Sequence, residues 1–202
     1  MIARVVSPLR IDPIAEARRH WEARWDVEPS CAMAAVTSIM RAQQVLMARL
    51  NELLRPHGLT FPRYEALMLL SFTRAGALPL GKIGERLQVH RTSVTNIIDK
   101  LEADRLIRRV QHPSDARTTL AVITPRGRRT AESATDDLNA SVYEQIGLSE
   151  SQRHQLTDLL AELRASANEF DVERSQDVID EIGTRHKPAP SRSRRKRGID
   201  VA

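Results

Sequence analysis

The order of residue patterns between Leu80 and Gly127 constrains the fold most strongly. The first half places apolar residues at helical spacing on both sides of a break near Val89, which predicts two short helices packed at an angle. The second half holds two β-favouring runs, Leu106 to Gln111 and Thr118 to Ile123, joined by a polar segment from His112 to Arg117. These runs predict a hairpin with a long tip. A helix, a turn, a second helix and a basic wing in this order indicate a DNA-binding lobe.

The second of these helices has one polar side. At 100° per residue, Val94, Ile98 and Leu101 share one face, and the opposite face carries Asn96 and Asp99. A small polar face is what reading a DNA groove requires. The residues of this helix predicted to contact DNA are Arg91, Thr92, Ser93, Thr95, Asn96 and Lys100.

The polar turn of the predicted wing carries Asp115 and Arg117, two residues apart. A carboxylate at this spacing can steady a guanidinium, and a guanidinium is favoured in a narrow minor groove, where the negative potential is strong. We therefore expect Asp115 to orient the side chain of Arg117 for DNA binding.

The wing also resembles a known family. Asp115-x-Arg117 followed by Leu120-x-Val122-x-Thr124-x-x-Gly127 is similar to the wing signature of MarR-type winged-helix regulators. The segment from Gly58 to Leu70 resembles the helix that opens their DNA-binding lobe, and the resemblance covers roughly residues 28 to 170. It implies a mainly α fold with a small β-hairpin wing and long N- and C-terminal dimerisation helices. It also implies a transcriptional repressor that a small aromatic or anionic effector releases from a pseudo-palindromic operator.

Capping signals divide the rest of the chain. Asp12-Pro13 predicts a helix to about Trp25, with Trp21 and Trp25 anchoring it on the body. A long amphipathic helix is predicted from Ser30 to Pro56, and another from Thr60 to about Gly76.

Two further helices are predicted downstream of the wing. Thr124-Pro125 predicts one to about Ile146, and a capping box at Ser149 to Gln152 opens one that reaches Phe170. The expected division is 1–27 extension with an extra helix, 28–58 and 124–175 dimerisation helices, 59–123 winged helix-turn-helix lobe and 176–202 disordered basic tail.

An apolar stripe along the terminal helices predicts packing against a second copy of the chain. In a homodimer, two reader helices about 34 Å apart match one turn of DNA and read a pseudo-palindrome.

The charges are strongly polarised along the chain. Residues 80–130 hold eleven Lys or Arg against five Asp or Glu, whereas residues 131–184 hold three against thirteen. Such asymmetry favours docking of the basic part on DNA phosphates, although an acidic solvated helix face would give the same pattern. From Arg185 onward the chain holds seven Lys or Arg and one acidic residue. This tail either adds contacts to DNA phosphates or only keeps the protein soluble.

A ligand pocket is expected where the first dimerisation helix meets the DNA-binding lobe, although ordinary hinge packing is an alternative for each residue. The candidates there are Met40, Arg41, Gln44, Met47, Arg63, Tyr64 and Met68. The extra N-terminal helix resembles the urate- or phenolic-responsive branch of the family. Trp21 matches a tryptophan of that branch and Glu65 stands where it has Asp, so both join the candidates. Ile97 replaces an expected Arg, which disfavours an anionic purine.

An oxidant-sensing regulator is another alternative, because Leu59 to Tyr64 resembles that branch. Val36 stands about where its reactive cysteine lies, and Cys31 is five residues earlier. Since Cys31 has no cationic neighbours in sequence, a small buried thiol is expected.

Composition excludes several other classes. One cysteine allows neither a disulfide within the chain nor a cysteine zinc cluster, and no phosphate-loop, dinucleotide, nucleophile-elbow or H-E-x-x-H motif occurs. We therefore expect no metal, no cofactor and no enzymatic activity. No apolar run spans a membrane and no secretory signal is present, which predicts a cytoplasmic protein. A winged-helix protein-interaction module without specific DNA binding remains an alternative.

Overall fold

The computed structural model describes residues 9–171, 174 and 175; the expected basic tail, 176–202, lies outside the described residues. The chain divides into two compact units between Ile146 and Gly147. The elements are α1 (Pro13–Glu22), α2 (Val27–Leu54), α3 (Phe61–Phe72), β1 (Ala77–Pro79), α4 (Leu80–Leu87), α5 (Arg91–Ala103), β2 (Ile107–His112), β3 (Asp115–Ile123), α6 (Pro125–Leu138) and α7 (Glu150–Ser166). This mainly helical fold with a small sheet confirms the predicted fold class. No described helix has the length and apolarity needed to cross a bilayer.

The first two helices differ from the prediction at their shared boundary. The carboxylate of Asp12 accepts the N–H of Ile14 and caps α1, which ends at Glu22 rather than at Trp25. α2 begins at Val27, before the expected Ser30. The carboxylate of Asp26 accepts the first N–H of the helix, and Pro29, in the first turn, has no N–H that would need an acceptor.

A hydrogen bond between Glu22 and Ser30 joins α1 to α2. The carboxylate of Glu22 accepts from Arg18 at 3.0 Å and from the fully buried Ser30 hydroxyl at 3.2 Å. The expected tryptophan anchor is wrong for Trp25, which is 58% exposed and lies 4.3 Å from the half-buried Trp21 between ring centroids. Trp25 lies beyond the last residue of α1, with its N–H still bonded to the Trp21 carbonyl at 2.9 Å, and its ring covers Trp21 from the solvent side rather than entering the core.

The core of the first unit lies between α3, α4, α5 and the sheet. Val94, Ile98 and Leu101 are buried, which confirms the predicted apolar face of α5. The last turns of α2 and most of α6 join the same cluster through Leu50, Leu54, Ala131, Ala134 and Leu138. Asn51 of α2 also accepts the N–H of Phe61 at 2.8 Å and so caps α3, whose own N-cap Thr60 makes no side-chain cap. The DNA-binding lobe is therefore continuous with the ends of α2 and α6.

The sheet has three antiparallel strands in the order β1-β3-β2. Its edge strand β1 was not predicted, because three residues ending in Pro79 show no period and proline restricts a strand to an edge. The tip of the wing is also tighter than expected. His112 pairs with Asp115 across Pro113 and Ser114, and a register shift leaves residues 116–118 bulged from the ladder.

The wing joins α6 in a close backbone contact. The Thr124 hydroxyl accepts the N–H of Gly127 at 2.9 Å and donates to the Leu106 carbonyl at 3.0 Å. A Cβ on Gly127 would lie 2.0 Å from that same carbonyl oxygen, so only glycine fits this turn. The glycine of the wing signature thus fixes where the sheet meets α6.

The C-terminal helices are shorter than predicted. α6 ends at Leu138, and a π-helical turn, Asn139–Tyr143, replaces the expected continuation to Ile146. In the second unit, the predicted capping box of Ser149 and Gln152 is confirmed, and α7 ends at Ser166 rather than Phe170.

Candidate nucleic-acid interface

A tight turn between α4 and α5 sets the position of the recognition helix α5. Gln88 ends α4 in the left-handed conformation, with φ 52°. A Cβ on Gly84 would lie 2.9 Å from Cγ2 of Val94, so glycine allows the two helices to approach closely. His90 caps α5, because its Nδ1 accepts the N–H of Thr92 at 3.3 Å.

The exposed side of α5 carries the predicted DNA-contacting residues. Val94 and Ile98 are turned into the core, with Val94 only 3% exposed. The side chains on the open side are those of Arg91, Thr92, Ser93, Thr95, Asn96 and Lys100, all exposed. The orientation of the helix therefore matches the helical count from the sequence.

Two grooves border this face. One, of about 670 Å³, lies between α4, α5 and the wing, and its lining includes Lys82, Arg91, Thr95 and Arg117. The other, of about 530 Å³, follows the first half of α5 from His90 to Asp99 and shares Arg91 and Thr95 with the first. The reader face of α5 and the exposed tip of the wing thus border one open, polar surface.

The contact between Asp115 and Arg117 differs from the prediction. One carboxylate oxygen of Asp115 accepts the backbone N–H of Arg117 at 3.0 Å, and the other accepts the hydroxyl of Thr118 at 2.6 Å. Hydrogen bonds from Thr118 and then from the Arg117 backbone hold the pKa of Asp115 below its usual value. Asp115 forms no ion pair with the guanidinium within the described chain. It orders the backbone of the tip and leaves the side chain of Arg117 extended into solvent.

One arginine of the wing was missed by the sequence analysis. Arg109 of β2 forms ion pairs with both Asp99 and Glu102 of α5. Burial lowers the pKa of Arg109, but hydrogen bonds and charges from the two carboxylates outweigh it and raise that pKa above its usual value. The only signal in the sequence was the i, i+3 spacing of two acidic residues on the recognition helix.

Arg63, assigned to the ligand pocket from the sequence, lies beside the recognition helix. It lines a groove of about 460 Å³ together with Ser93, Asn96 and Lys100. Its guanidinium donates to the carbonyl of Gly58 at 3.2 Å and lies 3.6 Å from a carboxylate oxygen of Asp104, at the end of α5. Both contacts hold Arg63 at the junction of α3 and α5.

The other ligand candidates fall into separate groups. Met40, Arg41 and Gln44 are exposed along α2, Met47 is half-buried there, and Trp21 belongs to α1. Tyr64 is in the core of α3, where its hydroxyl lies 2.9 Å from that of Thr135. Thr135 also contacts the sulfur of Met68 at 3.5 Å. A single chain therefore does not gather the predicted set around one cavity.

The carboxyl group of Glu65 on α3 lies near two phenols, Tyr64 of α3 and Tyr143 of the π-helical turn. Burial raises the pKa of Glu65 on the half-buried side of α3, and Glu65 forms no ion pair within the described residues. The pKa of Tyr143 is also raised, by burial first and then by the nearby charges of Tyr64 and Glu65.

The positions of Cys31 and of the acidic and histidine side chains bear on the predictions about redox and metal chemistry. Cys31 is exposed, so the expectation of a buried thiol is wrong. The cause is its place near the start of α2, where Ser30 alone is turned inwards. Val36 is exposed as well. Within residues 9–171, no cluster of His, Cys, Asp and Glu has a geometry that could hold a metal ion.

Comparisons with known proteins agree with the geometry. The sequence model described as the MarR family matches residues 59–119. The chain is 31% identical to the HTH-type transcriptional regulator MhqR of Bacillus subtilis over 65% of this chain and 90% of that protein. It is 46% identical to the solved structure of Sco5413, a MarR family transcriptional regulator of Streptomyces coelicolor, with a TM-score of 0.64, over 69% of this chain and 97% of the other. The fold alone is shared with Sco3205 of the same organism, solved in complex with DNA, at 22% identity and a TM-score of 0.60, over 71% and 90% of the two chains.

Proposed function

This chain belongs to the MarR family of transcriptional regulators, and we propose that it binds a pseudo-palindromic DNA operator as a homodimer and releases it on binding a small molecule. The carrying observation is the exposed polar face of α5, which borders the same groove as the exposed Arg117 of the wing. That arrangement suits a helix in the major groove and a guanidinium in the adjacent minor groove.

Within this interface, the residues divide by chemistry. Asn96 has an amide that can both donate to and accept from a base edge, so it contributes to sequence discrimination. Arg91 and Lys100 are cations at the two ends of the exposed face and contribute phosphate contacts, with hydroxyls from Thr92, Ser93 and Thr95 between them. Asp115 acts indirectly, by ordering the backbone that carries Arg117.

A second copy of the chain is the partner that completes the reader. Single lobes bind weakly, whereas two lobes on one operator multiply their affinities. Apolar side chains are exposed on α2 and, in the other unit, on α7, where Leu159 is 64% exposed. We assign dimerisation to 28–58 and 124–175, with 59–123 as the reader.

The effector is proposed to be a small aromatic molecule that is uncharged where it lies near Glu65. Arg63 is engaged with Gly58 and Asp104 on the other side of α3, so the exposed Arg41 of α2 is the candidate cation for an anionic group elsewhere on the effector. The unpaired carboxyl of Glu65 beside Tyr64 and Tyr143 disfavours an anion at that position. Ligand binding would shift the population towards a dimer whose reader helices are mis-spaced for the operator. Regulators of this family act on DNA operators, so we place the protein's action in the cytoplasm.

DNA binding is tested with the full chain and a fluorescent duplex that the protein itself selects from a random pool. We expect the affinity for this duplex to exceed that for a scrambled duplex and to fall steeply with salt. Arg117→Ala should weaken operator binding by about tenfold to a hundredfold and reduce the salt slope by about one. Arg19→Ala is the matched control, because it removes the same charge from an exposed site on α1, outside the reader and the dimerisation helices.

Three outcomes would contradict the proposal: no binding, binding that salt does not affect, or equal affinity for both duplexes. The first would instead favour a protein-interaction module. Effectors are screened by thermal shift, since a ligand at 100 times its Kd stabilises the fold by about 2.7 kcal/mol.

A further inference from the structure

We propose that Arg109 is a positioning residue that locks the wing to the recognition helix, so that α5 and Arg117 engage DNA as one rigid reader. This inference rests on the proposed function, because it concerns how two DNA-contacting elements are held together. Arg109 itself points at carboxylates of the protein and not at the groove.

The contact is a three-point attachment. Nη1 of Arg109 donates to Oε2 of Glu102, and Nη2 donates to Oδ1 of Asp99. The backbone N–H of Arg109 also donates to Oε1 of Glu102 at 2.9 Å. A planar guanidinium with fixed N–H directions, bonded to two carboxylates one helical turn apart, restrains both translation and rotation of the strand against the helix.

The attachment lies where it can control the wing tip. Arg109 pairs with Ala121 in the middle of the hairpin, between the core end at Ile107 and the turn at Pro113 and Ser114. Beyond it, the ladder is interrupted by the bulge that carries Arg117. A hairpin held only at its core end can swing at its tip, whereas this clamp fixes its middle to α5. The distance between the two DNA-contacting elements is thereby set before DNA binds, which lowers the entropic cost of binding.

The same contact also compensates an unfavourable charge. Asp99 lines the groove along the reader face of α5, together with Asn96 and Arg91. A free carboxylate there would repel DNA phosphates. Asp99 is therefore the anchor for Arg109, whose guanidinium neutralises this charge.

Substitution at Asp99 separates positioning from simple electrostatics, since the two predict opposite signs. Asp99→Asn removes a negative charge from the DNA side, so electrostatics alone would strengthen binding to every duplex. If the clamp positions the wing, Asp99→Asn leaves the affinity for a scrambled duplex unchanged or higher but lowers the affinity for the selected duplex. The ratio of the two affinities therefore falls.

A cycle of variants tests the rigidity directly, with Kd measured for the selected and scrambled duplexes. In a rigid reader, Arg117→Ala causes its largest loss of affinity for the selected duplex, which we call its penalty. In an Arg109→Met background this penalty should be smaller by about threefold or more, because the loosened wing seldom brings residue 117 to the DNA. Arg109→Lys should restore only part of the penalty, since an ammonium cannot reproduce the fork. Arg18→Met is the matched control, because it breaks an arginine–carboxylate pair on α1.

The inference fails if the Arg117→Ala penalty is the same in both backgrounds, or if Asp99→Asn strengthens binding to the selected duplex. If Arg109 served stability alone, Arg109→Met would lower the unfolding midpoint, while the Arg117→Ala penalty measured on the folded protein would stay the same. That result would also overturn the inference. Should Arg109→Met fail to fold, the Arg117→Ala penalty is measured in the Asp99→Asn background instead, where it should also shrink. Absence of selective binding by the unsubstituted chain would instead count against the proposed function.

Discussion

Gly127 lies in the first turn of α6 against the backbone of Leu106, and replacing it with alanine tests how this contact positions the wing. The added Cβ would lie 2.0 Å from the Leu106 oxygen and 2.9 Å from its carbon, whereas ordinary contacts begin at 3.4 Å. Both atoms belong to the backbone, so no side-chain rotation relieves the clash. The strand and the helix must separate by more than 1 Å.

That separation also breaks hydrogen bonds. The Leu106 carbonyl accepts from the N–H and from the hydroxyl of Thr124, each at 3.0 Å. Overpacking costs about 1–3 kcal/mol and each lost hydrogen bond about 1 kcal/mol, so Gly127→Ala should lower the free energy of unfolding by about 3–5 kcal/mol. At 2–4 °C for each kcal/mol, the melting temperature falls by roughly 10 °C.

Urea unfolding followed by circular dichroism measures this change. Gly81→Ala is the control: a Cβ there meets nothing within 4 Å, and alanine in a helix is favoured over glycine by up to about 1 kcal/mol. The two substitutions should therefore act in opposite directions. A Gly127→Ala protein within about 1 kcal/mol of the original would refute the reasoning from the close contact.

Three further substitutions test single contacts. Gly84→Ala places a Cβ 2.9 Å from the side chain of Val94, which must yield, so we expect a loss of about 1–2 kcal/mol in urea unfolding; an unchanged midpoint would contradict it. Glu65→Gln should stabilise at pH 7, because a raised carboxyl pKa means that ionisation opposes folding, and this gain should vanish as the pH falls below 4.5; a gain that persists in acid would contradict the burial argument. Asp115→Asn should speed hydrogen exchange of the Arg117 amide at neutral pH, and since the Asp115 pKa is lowered, the difference should disappear only as the pH falls below 3.8 and through the folded pKa. Equal exchange rates at pH 7 would show that Asp115 does not hold the tip.

The recognition helix was predictable because its information is local. The apolar positions Val94, Ile98 and Leu101 follow the helical period, and burial of one face necessarily exposes the other. The capping box at Ser149 was predictable for the same reason, since its two hydrogen bonds join residues three apart.

The contacts of the wing were not predictable in the same way. The spacing of Asp115 and Arg117 allows a bond to the guanidinium or to the backbone, and the tight turn selects the backbone. Arg63 was assigned correctly to the start of α3, but only packing of α3 against α5 shows which side of the helix it occupies. The short strand β1 is defined by its pairing with β3, which lies more than 35 residues further along the chain.

The sequence by itself determined the order of the elements from Leu80 to Gly127, the polar face of α5 and the family to which they point. These properties depend on periodicity, caps and turn residues, which act over a few positions along the chain. Only the tertiary structure decided that Arg109 joins the wing to Asp99 and Glu102 and that Gly127 fits against Leu106. Such contacts join residues of separate elements, and their existence depends on the angle and distance at which those elements pack.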